Sequence, residues 1–287
     1  MFTKKKTIQV FPAISEDRQA IANIIHFGAY VHRHLDWRPP LDWLGRHPFL
    51  VARRGNEVVG VLVCPPDPPN IAWIRLFAVA HGASPNQVWE EMWSDALPQL
   101  RDLSGSLSVA AIPLYHWFSK ILEGSGFKRD HRVVVLSWEP GERPDSLYLE
   151  ALSIRPMTLE DIPAVEKVDA AAFGGVWQNS QSCLEIAFRQ SALASVALMG
   201  ERLVGYQIST ATQMGGHLAR LAVLPEYQRS GIGYALVDNL LKEFEKRGAR
   251  SVTVNTQHDN HISLALYQKA GFRLTGEEYP VYEYDLA

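Results

Sequence analysis

Arg220-Leu-Ala-Val-Leu-Pro-Glu-Tyr-Gln-Arg-Ser-Gly-Ile-Gly-Tyr-Ala-Leu-Val237 is the stretch on which the reading of this chain turns. It opens as an apolar run suited to a strand. Its middle is a turn punctuated by Gly231 and Gly233. Its end starts a helix in which Ile232, Leu236, Leu240 and Phe244 recur every fourth residue. A strand, a glycine-bearing turn and a helix in that order present backbone N–H groups at the positive end of the helix dipole, where a phosphate can bind. Glycine at 231 and 233 lets a pyrophosphate approach without a Cβ in the way. Arg229 adds a cation. The stretch is not a Walker A loop, because no Gly-Lys-Ser/Thr follows. Nor is it a full dinucleotide fingerprint, because Leu236 stands where the third glycine would be. The rival reading is a helix start whose glycines serve packing alone.

Working outward, the patterning predicts a strand at 152–155 and a helix from the Thr158 N-cap to about residue 173, with Asp161 and Pro163 early in it. A second helix is expected at 180–190. Strands follow at 194–199 and 202–210, separated by Gly200-Glu201, and at 217–223. The helix at 231–247 stops at Gly248. A strand at 251–255, a helix at 262–269, and strands at 272–274 and 281–286 complete the segment. A hairpin series followed by a β-α-β crossover implies an α/β (α+β) fold, with helices on both faces of a mixed, largely antiparallel twisted sheet.

The chain repeats this plan once. Pro12 and Pro156 are 144 apart, as are Asp17 and Asp161, and Phe77-Ala-Val79 and Leu221-Ala-Val223. Gly60 and Gly205 are 145 apart, as are Gly126-Phe127 and Gly271-Phe272. The polar, proline-bearing run Glu139-Pro-Gly-Glu-Arg-Pro-Asp-Ser146 reads as a linker. Two domains are therefore expected, 1–145 and 146–287, of ordinary size for the length.

The composition narrows the function. Of 287 residues 47% are hydrophobic and 21% charged, with a net charge of -3, so no strongly basic field exists to draw nucleic acid or an anionic membrane. The two cysteines, Cys64 and Cys183, are far apart and outside any metal-ligand spacing, so no metal is expected. No apolar run reaches the roughly 20 residues of a membrane span, and the start does not read as a signal peptide; a cytoplasmic setting is expected.

Two motifs carry a resemblance to a family. Gln228-Arg-Ser-Gly-Ile-Gly233 resembles the Gln/Arg-x-x-Gly-x-Gly/Ala motif of the GNAT acyltransferase superfamily. Downstream, Asn260-His-Ile-Ser-Leu-Ala-Leu-Tyr-Gln-Lys-Ala-Gly-Phe272 is similar to that family's Asn-x-x-Ala/Ser…Leu-Tyr-x-x-x-Gly-Phe segment, particularly in ribosomal-protein N-terminal acetyltransferases. The resemblance covers 152–287. It implies two tandem acyl-CoA N-acyltransferase folds and, as co-substrate, acetyl-CoA or another acyl-CoA. The backbone of Leu221, Ala222 and Val223 would pair with the pantetheine arm, on a strand that in the family is bulged and splayed from its neighbour. The N–H groups along Gln228, Arg229, Ser230, Gly231, Ile232, Gly233 and Tyr234 would hold the pyrophosphate. Asn260 would lie beside the pantetheine and Tyr267 near the sulfur, as general acid toward the leaving thiolate; a core tyrosine is the alternative. A backbone N–H near Val223 would meet the oxyanion.

The general base stays open. In the ribosomal-protein enzymes a glutamate occupies the position of Asn255, and asparagine cannot take the proton. His217, His258, Asp259 and Glu278 are the available substitutes.

In the first copy Gln87 and Trp89 stand at the positions of Gly231 and Gly233, Leu122 at that of Tyr267, and Tyr115 at that of Asn260. That copy is expected to be non-catalytic, with Trp89 obstructing a pyrophosphate. Tandem copies with one inactive half resemble the mycothiol synthase family in architecture. The acceptor is expected to be an amine, on a small molecule or a peptide N-terminus, with direct attack and no acyl-enzyme; the alternative is an acyl-CoA sensor without turnover. A monomer and a homodimer are both compatible with the sequence.

Overall fold

The computed structural model describes residues 7–103, 106–144, 149, 151–212 and 215–286. In chain order the first copy runs through β1 (Ile8–Pro12), α1 (Arg18–Phe27), β2 (Tyr30–Arg33), β3 (Phe49–Arg54), β4 (Glu57–Val63), β5 (Ile71–Trp73), β6 (Leu76–Val79), α2 (Pro85–Leu103), β7 (Leu107–Ala111), α3 (His116–Gly124) and β8 (Lys128–Trp138). The second repeats the plan with β9 (Leu152–Pro156), α4 (Ile162–Ala172), α5 (Gln181–Gln190), β10 (Leu193–Met199), β11 (Arg202–Ala211), β12 (Gly215–Val223), α6 (Ile232–Lys246), β13 (Ser251–Gln257), α7 (His261–Lys269) and β14 (Arg273–Leu286). The expected elements of the second copy all form. The two strands expected at 272–274 and 281–286 are one continuous strand, β14.

Two compact units result: 1–130 with 280–287, and 131–279. Each is completed by a strand from the other half of the sequence. The β8 segment from Val133 to Trp138 pairs antiparallel with β13 in the second unit. The β14 segment from Tyr282 to Leu286 pairs antiparallel with β7 in the first. The expected junction near residue 145 therefore falls after β8 has already joined the second unit.

In the second unit the strand order is β14-β8-β13-β12-β11-β10-β9; β8–β13, β12–β11, β11–β10 and β10–β9 pair antiparallel, and β12–β13, joined through α6, pair parallel. The apolar stripe of α6 drives its packing: Ile232, Leu236, Leu240 and Phe244 are buried, and Leu240 and Phe244 join Leu218, Val252, Val254, Tyr267 and Phe272 in one core. Burial of such a face, at about 25 cal/mol per Å² of apolar surface, is what fixes a helix to a sheet. The close approach has a local requirement. A Cβ on Gly216 would lie 2.5 Å from Cζ of Phe244, so β12 can meet α6 only with glycine there.

In the first unit β1-β3-β4-β6-β2 form one antiparallel sheet. Strand β5 pairs parallel with β7. The core is aromatic: Trp89 packs edge-on to Phe77 and Phe118 and stacks on Trp93, and its Nε1–H donates to Ser125 Oγ at 2.7 Å.

Candidate active site

The site is built on β12. This strand pairs with β11 along its length, but the ladder skips Ala219: Ile208 lies opposite Arg220 and Ser209 opposite Leu218. That extra residue is a β-bulge, and it reverses which side chains face which layer. Before it, Gly216 and Leu218 face α6. After it, Leu221 and Val223 do so, while Arg220 turns to α4 on the opposite face.

The bulge also ends a ladder. The parallel pairs between β12 and β13 run from Gly215–Ser251 to Leu218–Val254 and stop. Both strands continue, β12 to Val223 and β13 to Gln257, with the end of β13 held by β8 instead. A wedge opens between them, with its apex at Leu218 and Val254. Leu224 N–H bonds Val204 C=O at 2.8 Å. Antiparallel alternation therefore turns the main-chain groups of Leu221 and Val223 toward the wedge. Val223 C=O accepts from Gln228 Nε2 at 3.0 Å. The remaining groups form a strand edge of the kind an extended ligand can join.

The loop after the strand continues this surface. Pro225–Tyr227 is a short 3-10 turn. Ser230 Oγ–H donates back to Tyr227 C=O at 2.6 Å. Arg229 has φ 60 and Gly231, the N-cap of α6, has φ 95. That left-handed conformation favours glycine at 231. The first intrahelical bond is Ala235 N–H to Gly231 C=O, 2.9 Å. The N–H groups of Ile232 and Gly233 precede this bond and thus have no acceptor within the helix, as at every helix start. Arg229 is exposed, without a carboxylate in ion-pair reach among the described residues. Tyr234 O–H donates to Pro144 C=O, and Lys269 Nζ sits 4.8 Å from its ring. Loop and strand suit a pantetheine edge and a pyrophosphate cradle together.

Helix α7 packs against the start of α6: a Cβ on Gly233 would lie 3.3 Å from Leu266 Cδ2. Asn260 is its N-cap, with Oδ1 accepting from Ser263 N–H at 3.0 Å and Nδ2 donating to Gln257 Oε1 at 3.3 Å. Its side chain thus has a structural task. Tyr267 is 5% exposed and packs on Phe272. Its hydroxyl has no hydrogen-bond partner among the described residues. Burial raises its pKa well above 10, so the phenol stays protonated.

The four candidate bases separate by position. Glu278 pairs with Arg132 at 3.2 Å on an exposed surface. His258 and Asp259 follow the end of β13, where Asp259 lies 3.7 Å from His131 and 3.8 Å from His258. His217 alone sits at the wedge apex, one residue before Leu218. Its Nδ1 is 2.9 Å from Thr253 Oγ1, and burial lowers its pKa below 6.5. Asn255 is exposed on β13 just past the apex.

Sequence reasoning missed a buried ion pair beside the wedge. Asp169, fully buried on α4, accepts from Arg220 Nε (2.8 Å) and Nη2 (2.9 Å), from Asn179 N–H (3.0 Å) and from the Tyr206 hydroxyl. Arg220 Nη2 also donates to Trp177 C=O at 2.6 Å, and its guanidinium lies 3.6 Å over the Phe173 ring. The signal was present: Asp169 interrupts the buried face of Ile162, Val165 and Val168.

Among the described residues no group of three His, Cys, Asp or Glu side chains is arranged to hold a metal. No helix there is long and apolar enough to cross a membrane.

A bulged, splayed strand that runs into a glycine-started helix is the cofactor-side architecture of the acyl-CoA N-acyltransferase fold. Residues 162–272 match the model of the Acetyltransferase (GNAT) family, so this segment carries a GNAT domain, and the chain is an acyltransferase. The chain is similar to the [ribosomal protein bS18]-alanine N-acetyltransferase of Escherichia coli strain K12, 29% identical over 125 residues, which are 40% of this chain and 81% of the relative. In fold it resembles a GCN5-related N-acetyltransferase from Sphaerobacter thermophilus, at 15% identity and TM-score 0.62 over 97% of this chain and 95% of that one. It likewise resembles a tandem GNAT protein from the clavulanic acid biosynthesis pathway, at 15% identity and TM-score 0.61 over 97% and 98%. Two tandem copies of the fold account for that coverage.

Proposed function

We propose that this protein transfers an acetyl group from acetyl-CoA to a primary amine, on a small molecule or a peptide N-terminus, with all chemistry in the second unit. The observation that carries the reading is the open edge of Leu221–Val223, continuous with the N–H groups at the start of α6. The pyrophosphate would lie at residues 229–234 and the pantetheine along residues 223 to 221. The thioester then lies toward the wedge apex, because the phosphate cradle is at the other end of the strand. Acetyl-CoA supplies the acyl group as a thioester.

The backbone N–H of Leu221 or Val223 donates to the oxyanion as it develops, a fixed donor that needs no reorganisation. His217, beside the apex, takes the proton of the attacking amine directly or through one water, and its lowered pKa keeps it in the neutral form that can do so. The C–N bond forms, the C–S bond breaks, and Tyr267 gives its phenolic proton to the departing sulfur. No acyl-enzyme is required. Cys183, on α5, is not assigned a role.

The first unit takes no part in this reading, and its geometry supports that. Strand β6 aligns with Arg220–Val223 by the repeat, and its edge equivalent to the cofactor edge is already filled: Tyr30, Val31, His32 and Arg33 of β2 pair with Val79, Ala78, Phe77 and Leu76. The cradle is gone as well. Helix α2 begins at Pro85, about one turn before the position matching Ile232, with Ser84 Oγ accepting from Gln87 N–H at 3.4 Å. Trp89 does not obstruct a pyrophosphate site as expected: it is a core residue, 1% exposed, on a helix that has absorbed the loop.

The test is thiol release from acetyl-CoA across a panel of amines and N-terminal peptides. Wild type should turn over at least one of them, and Tyr267→Phe should lower kcat by about a hundredfold with little change in acetyl-CoA affinity. An unchanged kcat in Tyr267→Phe removes the tyrosine from the mechanism. Acetyl-CoA binding without transfer to any amine favours a sensor.

A further inference from the structure

A second concentration of charge lies in the first unit, on residues that take no part in the cofactor wedge. Trp43 ends the 3-10 turn Pro40–Trp43 and is 1% exposed. Three guanidinium groups surround its ring. Arg75 lies 3.7 Å from the ring centroid, Arg38 4.5 Å and Arg46 5.3 Å.

One carboxylate answers these three cations. Asp36 pairs with Arg75 and also accepts the backbone N–H of Arg38 at 3.1 Å. Arg38 and Arg46 have no carboxylate partner among the described residues. Cation–π contact with an indole accounts for a guanidinium on a ring face, but it does not neutralise two unpaired cations held beside a third.

The buried donors tell the same story. Trp43 Nε1–H and Arg75 Nε–H are both buried and have no acceptor among the described residues. Arg75 as a residue is 5% exposed. Folded proteins rarely leave such donors unmet, and each one calls for a partner. His34, stacked on Trp73 at 4.5 Å, is held neutral there, with a pKa of about 3 set by burial and then by the charge of Arg75. Side chains around Trp43 thus combine excess positive charge with unused hydrogen-bond donors. Arg46 is exposed and Arg38 half-buried, so the open approach is on their side.

We propose that Arg38, Arg46 and Arg75, with the indole N–H of Trp43, form a binding site for a small oxyanion, a carboxylate or phosphate group. Guanidinium groups suit both, because each offers paired N–H donors to two oxygens of a planar or tetrahedral anion. The assignment is independent of the acetyl-transfer reading: it concerns another unit and other residues.

The test follows the indole N–H signals of the eight tryptophans in the full-length, nitrogen-15-labelled chain. Inorganic phosphate and succinate are titrated separately at constant ionic strength. One indole signal should move saturably with at least one anion. In Arg38→Gln/Arg46→Gln, which alters the more accessible arginines, the apparent affinity should fall about tenfold or more, while acetyl-CoA binding persists. Saturation by phosphate alone assigns a phosphate group, and by succinate alone a carboxylate. Should neither anion move an indole signal, or should the double variant respond as wild type does, the site does not exist.

Discussion

At the scale of single residues, two positions decide the account. Gly231 holds φ 95 at the head of α6, so a side chain there meets both a disfavoured backbone and the space intended for phosphate. His217 stands at the apex of the wedge with its Nδ1 on Thr253 Oγ1. Because burial lowers its pKa, the imidazole is neutral at neutral pH and gains a proton only as pH falls through that lowered value. The acid limb of the kcat profile should therefore lie below pH 6.5. His217→Asn should lower kcat and remove that limb, and a profile identical to wild type would exclude His217 as the base. These two residues differ in how far they could be read in advance. The glycine belongs to a local pattern of strand, turn and helix, and local patterns survive in sequence. The histidine gains its meaning from the bulge at Ala219 and from Thr253 on another strand, which no spacing along the chain encodes.

Among elements, β12 is the organising one. Its bulge at Ala219 reverses its faces, frees its edge from β13, and aims Arg220 at α4. The Asp169–Arg220 pair then ties α4 and the segment from Phe173 to Asn179 to the strand that would hold the pantetheine. The Asp169 side chain is fully buried and that of Arg220 is 14% exposed. Removing one partner leaves the other charged in a poorly solvated place. Asp169→Asn should therefore destabilise the protein by about 3–5 kcal/mol, measured by chemical denaturation. Asp169→Asn combined with Arg220→Met should cost less than the sum of the singles, and strict additivity would show that the two groups do not act together. Element identity in the second copy was largely legible, because α6 carries an i+4 apolar repeat and the strands are apolar runs bounded by turns. The partners of β8 and the end of β14 were not. A strand such as Val133–Trp138 carries the same alternation whichever sheet receives it. The same limit hid β2, because nothing in the Tyr30–Arg33 run names β6 as its partner.

For the whole molecule, two copies of one fold differ at the strand edge that would take the cofactor. The second keeps an open edge and a glycine-started helix. The first has filled the equivalent edge with its own β2, carries α2 where the loop would lie, and buries His32. His32 is 1% exposed, with Nε2 3.1 Å from Ile74 C=O, and its pKa is lowered from 6.5 to about 3, chiefly by burial and then by His34. The folded state thus refuses a proton that the unfolded chain accepts. The corresponding stability is present above about pH 6.5 and is lost as pH falls toward 3, by up to about 1.4 kcal/mol per pH unit for this one group. The melting temperature should drop between pH 7.5 and 5, and less steeply in His32→Gln. A wild-type melting temperature that is flat over that range would contradict the assignment of a neutral buried imidazole.

In the proposed reading one of the two copies, and only the second, takes acetyl-CoA. Titration calorimetry of acetyl-CoA into the full chain tests it most directly, with Gly231→Trp as the companion variant. One molecule should bind per chain in wild type and none in Gly231→Trp, with the variant still folded by its melting curve. Two molecules per chain, or binding that survives in Gly231→Trp, would contradict it.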